Sequence, residues 1–197
     1  LSVAEKHGAA LLLDEAHATG VLGEKGEGLA VEQELEERIW ARIVTFGKAV
    51  GAQGAAVLSS NTLRQYLVNF SRPFIYTTAM PPLLLEAIRH NYQLMAAGSR
   101  TRQLQERIAL FQAFAEKEGL ELLPSRSAVQ ALLLPGNERA KGAEARLRAS
   151  GFAVKAVLSP TVPKGRERLR ICLHTFNAPA EIESLVQHLK QLSDEKA

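Results

Sequence analysis

Short apolar runs and longer helical periodicities alternate along this chain. Residues 9–13, 43–46 and 54–59 are continuous apolar runs, the pattern of strands buried on both faces. A loop carrying Gly20, Gly23, Gly26 and Gly28 separates the first two. Asn61 is placed to cap a helix over 62–70. Strands separated by glycine loops and helices predict an α/β layered domain with a mainly parallel sheet. Pro81 and Pro82 then open a long helical stretch in which Leu84, Ile88 and Leu94 fall near helical spacing. Gly98 and Ser99 interrupt it, and a second amphipathic helix runs to about Glu118.

Beyond Gly119 the texture changes. Residues 120–123, 129–134, 154–158 and 169–173 read as short strands, and 137–149 and 179–192 as helices. This predicts a smaller α+β unit. The expected division is near Ala97, giving units 1–97 and 98–197. The opening Leu1-Ser2-Val3-Ala4-Glu5-Lys6-His7-Gly8 reads as the last turns of a helix closed by a glycine. A strand follows at once, so the chain is expected to be the C-terminal part of a longer protein.

Composition narrows the classes. Of 197 residues, 46% are hydrophobic and 23% charged, the balance of an ordinary soluble globular protein. The formal net charge of +3 is spread along the chain, which gives no case for nucleic acid and suits an anionic small-molecule substrate. The single cysteine, Cys172, excludes an internal disulfide and fits a reducing cytoplasm. No apolar run approaches the roughly 20 residues of a membrane span. No metal site is expected.

The candidate chemistry lies at strand ends. Asp14 ends an apolar run, where open α/β sheets place ligand-binding groups. His17 follows three residues later. Thr45-Phe46-Gly47-Lys48-Ala49-Val50-Gly51 puts a lysine in a glycine-flanked turn after the second strand. A carboxylate followed by such a lysine suits a pyridoxal phosphate (PLP) enzyme. The lysine amine anchors the cofactor, and the acid keeps its pyridine nitrogen protonated. Thr45 is placed to offer a hydroxyl to the cofactor phosphate. Thr77 and Thr78 precede a helix N-terminus, a natural anion site. Arg168 and Arg170 alternate with apolar residues, so they share a strand face; Arg170 could grip a carboxylate, whereas Arg168 reads as solvated charge. Cys172 reads as a packed core residue.

Asp14-Glu15-Ala16-His17-Ala18-Thr19-Gly20-Val21-Leu22-Gly23, Thr45-Phe46-Gly47-Lys48, Tyr76-Thr77-Thr78-Ala79-Met80-Pro81-Pro82 and Arg168-Leu169-Arg170 resemble the α-oxoamine synthases. These fold-type I PLP transferases join an amino acid to an acyl-CoA and release carbon dioxide. The segment from Ser159 to Arg166 looks most like the biotin-pathway branch of that family. The resemblance implies that Lys48 carries PLP and moves the α-proton of the amino acid. It implies that Asp14 pairs with the pyridine nitrogen, His17 contacts the phenolic oxygen and Thr45 binds the phosphate. Thr77 and Thr78 are expected to reach the phosphate in a neighbouring subunit, because family active sites are shared across a homodimer. Arg170 is expected to hold the amino-acid carboxylate. Glycine-using and serine-using branches of the family, and an inert PLP-fold piece, are the rival readings. Family members are about twice this long, and no residue here suggests the aromatic ring that stacks on PLP.

Overall fold

The computed structural model describes residues 1–195 and divides into two compact units, the first Leu1–Arg102 and the second from Gln103 onward. In the first, β1 (Leu12–Asp14) pairs in parallel with β2 (Ala41–Thr45), and β2 pairs antiparallel with β3 (Ala55–Ser59). The sheet is therefore mixed, with one parallel and one antiparallel pairing. The reason is the short connection from β2 to β3, which cannot carry the crossover that a parallel neighbour needs. Strand β1 begins later than the apolar run suggests. Ala9 to Leu11 precede it, although the Leu11 carbonyl still accepts from Ala41 N.

Five helices belong wholly to this unit: α1 (Ser2–Lys6), α2 (Leu29–Glu32), α3 (Asn61–Phe70), α4 (Arg72–Ile75) and α5 (Pro82–Ala96). A turn of 3-10 helix at Glu36–Arg38 precedes β2. The cap of α3 is Ser60, one residue before the expected Asn61; its hydroxyl accepts from Leu63 N at 3.3 Å. Asn61 is the first helical residue, and its side chain accepts from Arg64 instead.

The core of this unit is Val44, Phe46, Val50 and Ile88, with Met80, Leu84 and Met95 packed against it. On α5 the inward stripe is thus Leu84, Ile88 and Met95. Leu94 is exposed. A step of seven residues keeps Ile88 and Met95 on one side, whereas six places Leu94 about a quarter-turn or more away. Several large apolar side chains stay exposed, including Leu12, Val57 and Leu58 on the strands and Tyr66, Phe70 and Phe74 on α3 and α4.

Helix α6 (Ser99–Lys117) begins in the first unit, where Thr101 is buried with its hydroxyl 3.5 Å from the Gly20 carbonyl. The division consequently falls inside this helix, after Arg102. In the second unit β4 (Val129–Leu133), β6 (Arg168–Cys172) and β5 (Lys155–Val157) form an antiparallel sheet in the order β4-β6-β5. Helices α7 (Asn137–Ala149) and α8 (Pro179–Asp194) complete the unit. The run at 120–123 is not a full strand. Only Leu122 bridges, to Leu132, because Pro124 follows and lacks the amide a ladder requires. Buried Phe111, Leu132, Leu147, Leu169 and Leu189 make its core. Among the described residues no helix is long and apolar enough to cross a membrane.

Candidate active site

Strand β1 ends on Asp14, whose register partner on β2 is Ile43. Neighbouring strands in register share faces, and alternate residues on a strand point the same way. Asp14, Ile43 and Thr45 therefore belong to one face of the sheet, and Leu13, Arg42 and Val44 to the other. Val44 takes the second face into the core. The first face is more open, with Asp14 and Val57 exposed. One carboxylate oxygen of Asp14 accepts from Ala16 N at 2.8 Å. His17 lies at the surface in the turn that follows.

Thr45 closes β2. Its Oγ1 is buried and has no hydrogen-bond partner among the described residues. Buried hydroxyls are ordinarily paired, so this one is available to a bound group. Thr19, in the loop after Asp14, has a second such hydroxyl.

Lys48 rides on a turn between two anchors. Phe46 and Val50 are buried in the core, while Gly47, Lys48 and Ala49 are exposed. Gly51 N donates to the Lys48 carbonyl at 3.0 Å, and Ala52 N to the Phe46 carbonyl at 2.7 Å. The Asn91 side chain on α5 donates to the Val50 carbonyl at 2.7 Å. Tyr92 packs edge-on against Phe46, with ring centres 6.2 Å apart; burial raises its hydroxyl pKa, and nearby Arg42 pulls it back. The backbone of the lysine turn is thus fixed while the amine faces solvent.

The loop after Asp14 meets this turn. A Cβ on Gly20 would run into Ala49 Cβ, the residue after the lysine, and Gly20 has φ +78°. The Tyr76–Pro82 segment is tied in through Met80, whose methyl occupies the space a Cβ on Gly54 would need. Thr77 and Thr78 are exposed on that segment. The first unit thus brings together the Asp14 corner, the Thr45 strand end, the lysine turn and the Met80 anchor.

Arg170 lies in the second unit, on β6, with Ala131 and Lys155 as its register partners. Arg168, Arg170 and Cys172 share the outward face, and Leu169 and Ile171 the buried one. Cys172 is exposed, contrary to the core position expected of it. The strand register sets this: a residue two beyond Arg170 must share its face. The Arg170 guanidinium has no hydrogen bond or ion pair among the described residues, whereas Arg168 Nε donates to the Arg166 carbonyl at 3.0 Å.

The segment before β6 is pinned at both ends. Ser159 and Asn137 exchange two hydrogen bonds, 2.9 and 3.2 Å. The buried Glu167 carboxylate accepts from Gly136 N and Gly165 N, each at 2.9 Å. These bonds hold its pKa below the ordinary value. The Gly136 amide contributes most, followed by Glu167's own amide; burial opposes them, and Gly165 N and the Lys164 charge add to the lowering.

Two residues to which the sequence assigned no role shape the first unit. Glu15 is 1% exposed and Arg42 9%. Arg42 Nε donates to Glu15 Oε2 at 2.9 Å, and Ala30 N to Glu15 Oε1 at 2.8 Å. The signal was an arginine inside the apolar run of β2, because a cation there requires a buried acid partner. Among the described residues no group of three His, Cys, Asp or Glu could hold a metal ion. A separate cavity of 770 Å³, lined in part by Ala9, Leu11, Arg38 and Trp40, opens at the opposite end of β1 and β2.

The aminotransferase class I and II family matches residues 1–189, and the chain belongs to that family. Within it, the chain is 40% identical over 187 residues to the 8-amino-7-oxononanoate synthase of Serratia proteamaculans, covering 94% of this chain and 48% of that protein. It is also similar to a solved 8-amino-7-oxononanoate synthase from Francisella tularensis, with TM-score 0.83 and 27% identity over 96% of this chain and 56% of that one. A serine palmitoyltransferase from S. paucimobilis, solved with a PLP–myriocin adduct, gives TM-score 0.87 and 28% identity over 98% of this chain and 49% of that one. The neighbours are fold-type I enzymes, as the sequence motifs implied. The chain spans about half the length of the curated relatives it matches.

Proposed function

We propose that this chain contributes the lysine-bearing part of a PLP-dependent acyltransferase. The reaction is the condensation of L-alanine with pimeloyl-CoA, giving 8-amino-7-oxononanoate, coenzyme A and carbon dioxide for biotin synthesis. The observation that carries the reading is the Lys48 turn: an exposed amine on a backbone fixed at Phe46 and Val50, three residues after an unpartnered buried hydroxyl. The relatives named 8-amino-7-oxononanoate synthase support the choice of reaction.

The residues fit the cofactor. Lys48 would bind its aldehyde carbon. Asp14 has one carboxylate oxygen engaged by Ala16 N and offers the other to the pyridine N–H. His17 would donate to the phenolic oxygen. Thr45 Oγ1 would gain in the phosphate the partner it lacks. Bound PLP supplies an electron sink for the carbanion formed at the amino acid's α-carbon.

In this reading Lys48 removes the alanine α-proton and returns a proton to the product. Asp14 would place a negative charge beside the pyridine nitrogen, which favours that nitrogen's protonated form. Arg170 holds the alanine carboxylate through a charge-assisted fork. The new carbon–carbon bond forms as the thioester carbon–sulfur bond breaks. Coenzyme A leaves as the thiol, and the original alanine carboxylate then departs as carbon dioxide. Thr77 and Thr78, exposed on the segment anchored by Met80, would complete the phosphate site of a second subunit in a homodimer.

A serine-using reaction is the second reading, favoured by the likeness to serine palmitoyltransferase. Coenzyme A release from pimeloyl-CoA, with L-alanine, glycine and L-serine supplied in turn, separates the two. Release with L-alanine that disappears in Lys48→Ala is the expected result. Release with serine or glycine alone would overturn the assignment to biotin synthesis. PLP binding without release from any donor would favour a non-catalytic role.

A further inference from the structure

Glu15 follows Asp14 directly, yet it faces the other side of the sheet. It is buried, and its carboxylate is fully employed. Ala30 N donates to Oε1 at 2.8 Å, Arg42 Nε to Oε2 at 2.9 Å, and Arg42 Nη2 also reaches Oε2. Arg42 Nη2 further donates to the Glu27 carbonyl at 3.1 Å. Gly28 passes so close that a Cβ there would lie 2.6 Å from Glu15 Oε2. These contacts draw the far end of the glycine loop, from Glu27 to Ala30, to a buried carboxylate that stands before the loop begins. Within the loop, Gly20 N donates to the Gly26 carbonyl at 2.8 Å, and Gly20 abuts Ala49 beside Lys48.

A buried ion pair is weak evidence for stability, because desolvation offsets most of its attraction. Fixing geometry is its better-attested use. We propose that Glu15 is a positioning residue for the cofactor site: paired with Arg42 beneath the sheet, it fixes the Asp14–His17 corner and the glycine loop, and through Gly20 the turn that carries Lys48. The inference rests on the PLP reading above for the identity of the ligand. It does not rest on that reading for the mechanical link from Glu15 to the lysine turn.

The test combines amide hydrogen exchange with PLP titration in Glu15→Gln and in the double variant Glu15→Gln/Arg42→Met. In Glu15→Gln the amides of residues 16–30 and 47–51 exchange faster, while β3 keeps its protection. PLP affinity falls roughly tenfold to a hundredfold, the scale of a misplaced site. The double variant removes the unpaired guanidinium and recovers Tm, but PLP affinity stays low because the loop is still loose. A loosened loop with unchanged PLP affinity would overturn the proposal. So would PLP affinity that recovers in step with Tm, which would make the pair merely structural. If the unsubstituted chain takes up no PLP, the cofactor reading fails on its own and exchange alone decides. Loosening confined to the two segments supports the link, and uniform or absent loosening rejects it. Should Glu15→Gln fail to fold, Glu15→Asp serves the same comparison: it keeps the charge but is too short to reach both Ala30 N and Arg42.

Discussion

Gly20 abuts Ala49, and the contact leaves no room for a side chain on the glycine. Through it, the loop that follows Asp14 and the turn that carries Lys48 become one mechanical piece. Gly20→Ala places a methyl on Ala49 and also strains a residue at φ +78°. Overpacking of this kind costs about 1–3 kcal/mol, and a non-glycine residue in the left-handed region adds roughly 1–2 kcal/mol. Chemical denaturation is expected to show the sum. Adding Ala49→Gly relieves the first cost and leaves the second. Full recovery in the double variant would mean the backbone there is unstrained.

Thr45→Val separates a ligand-binding hydroxyl from a structural one. Its Oγ1 is buried without a partner among the described residues, so its removal should leave Tm unchanged or raised. PLP affinity should fall, since a hydrogen bond to a charged group is worth about 1.5–3 kcal/mol. A Tm drop with undiminished PLP affinity would assign Thr45 to the fold alone.

Arg170 has a guanidinium with no partner among the described residues, on the exposed face of β6. Arg170→Ala should weaken L-alanine binding by about 1.5–3 kcal/mol while leaving Tm nearly unchanged. Spectroscopic titration with L-alanine measures it. Unchanged alanine affinity would remove Arg170 from the site.

Glu167 ties the segment before β6 to the start of α7, and its pKa is lowered from the ordinary 4.5. A depressed carboxylate contributes stability that is full above its unfolded value and is lost as pH falls through its folded value. Glu167→Gln should therefore lower Tm at neutral pH. The gap to the unsubstituted protein should narrow as pH drops below about 4.5. A gap that stays constant down to strongly acid pH would show that the charge is irrelevant.

Elements bounded by local chemistry were legible in the sequence. Helix α7 spans Asn137–Ala149 as expected, because Gly136 precedes it and Gly151 follows close behind. Helix α8 starts at Pro179, where Glu181 closes back on Ala178 N at 2.8 Å. Features set by register were not legible. That Glu15 finds Arg42 depends on which residues pair across strands, whereas the outward face of Cys172 follows from the same alternation that places Arg168 and Arg170 together, which a core position for it ignored. The periodicity of α5 predicted its inward side but admitted Leu94 where Met95 packs. Of the candidate site, the strand-end and turn positions of Asp14, Thr45 and Lys48 followed from sequence, because apolar runs and glycines mark them. The buried pair beneath them did not, since nothing local ties Glu15 to a residue 27 positions on.

The most direct test of the account is reductive labelling. The chain is mixed with PLP and reduced with borohydride, and the modified lysine is mapped by peptide mass spectrometry. The account predicts a label concentrated on Lys48 and lost in Lys48→Ala. A label concentrated on another lysine, spread evenly over exposed lysines such as Lys141 and Lys155, or absent altogether would contradict it.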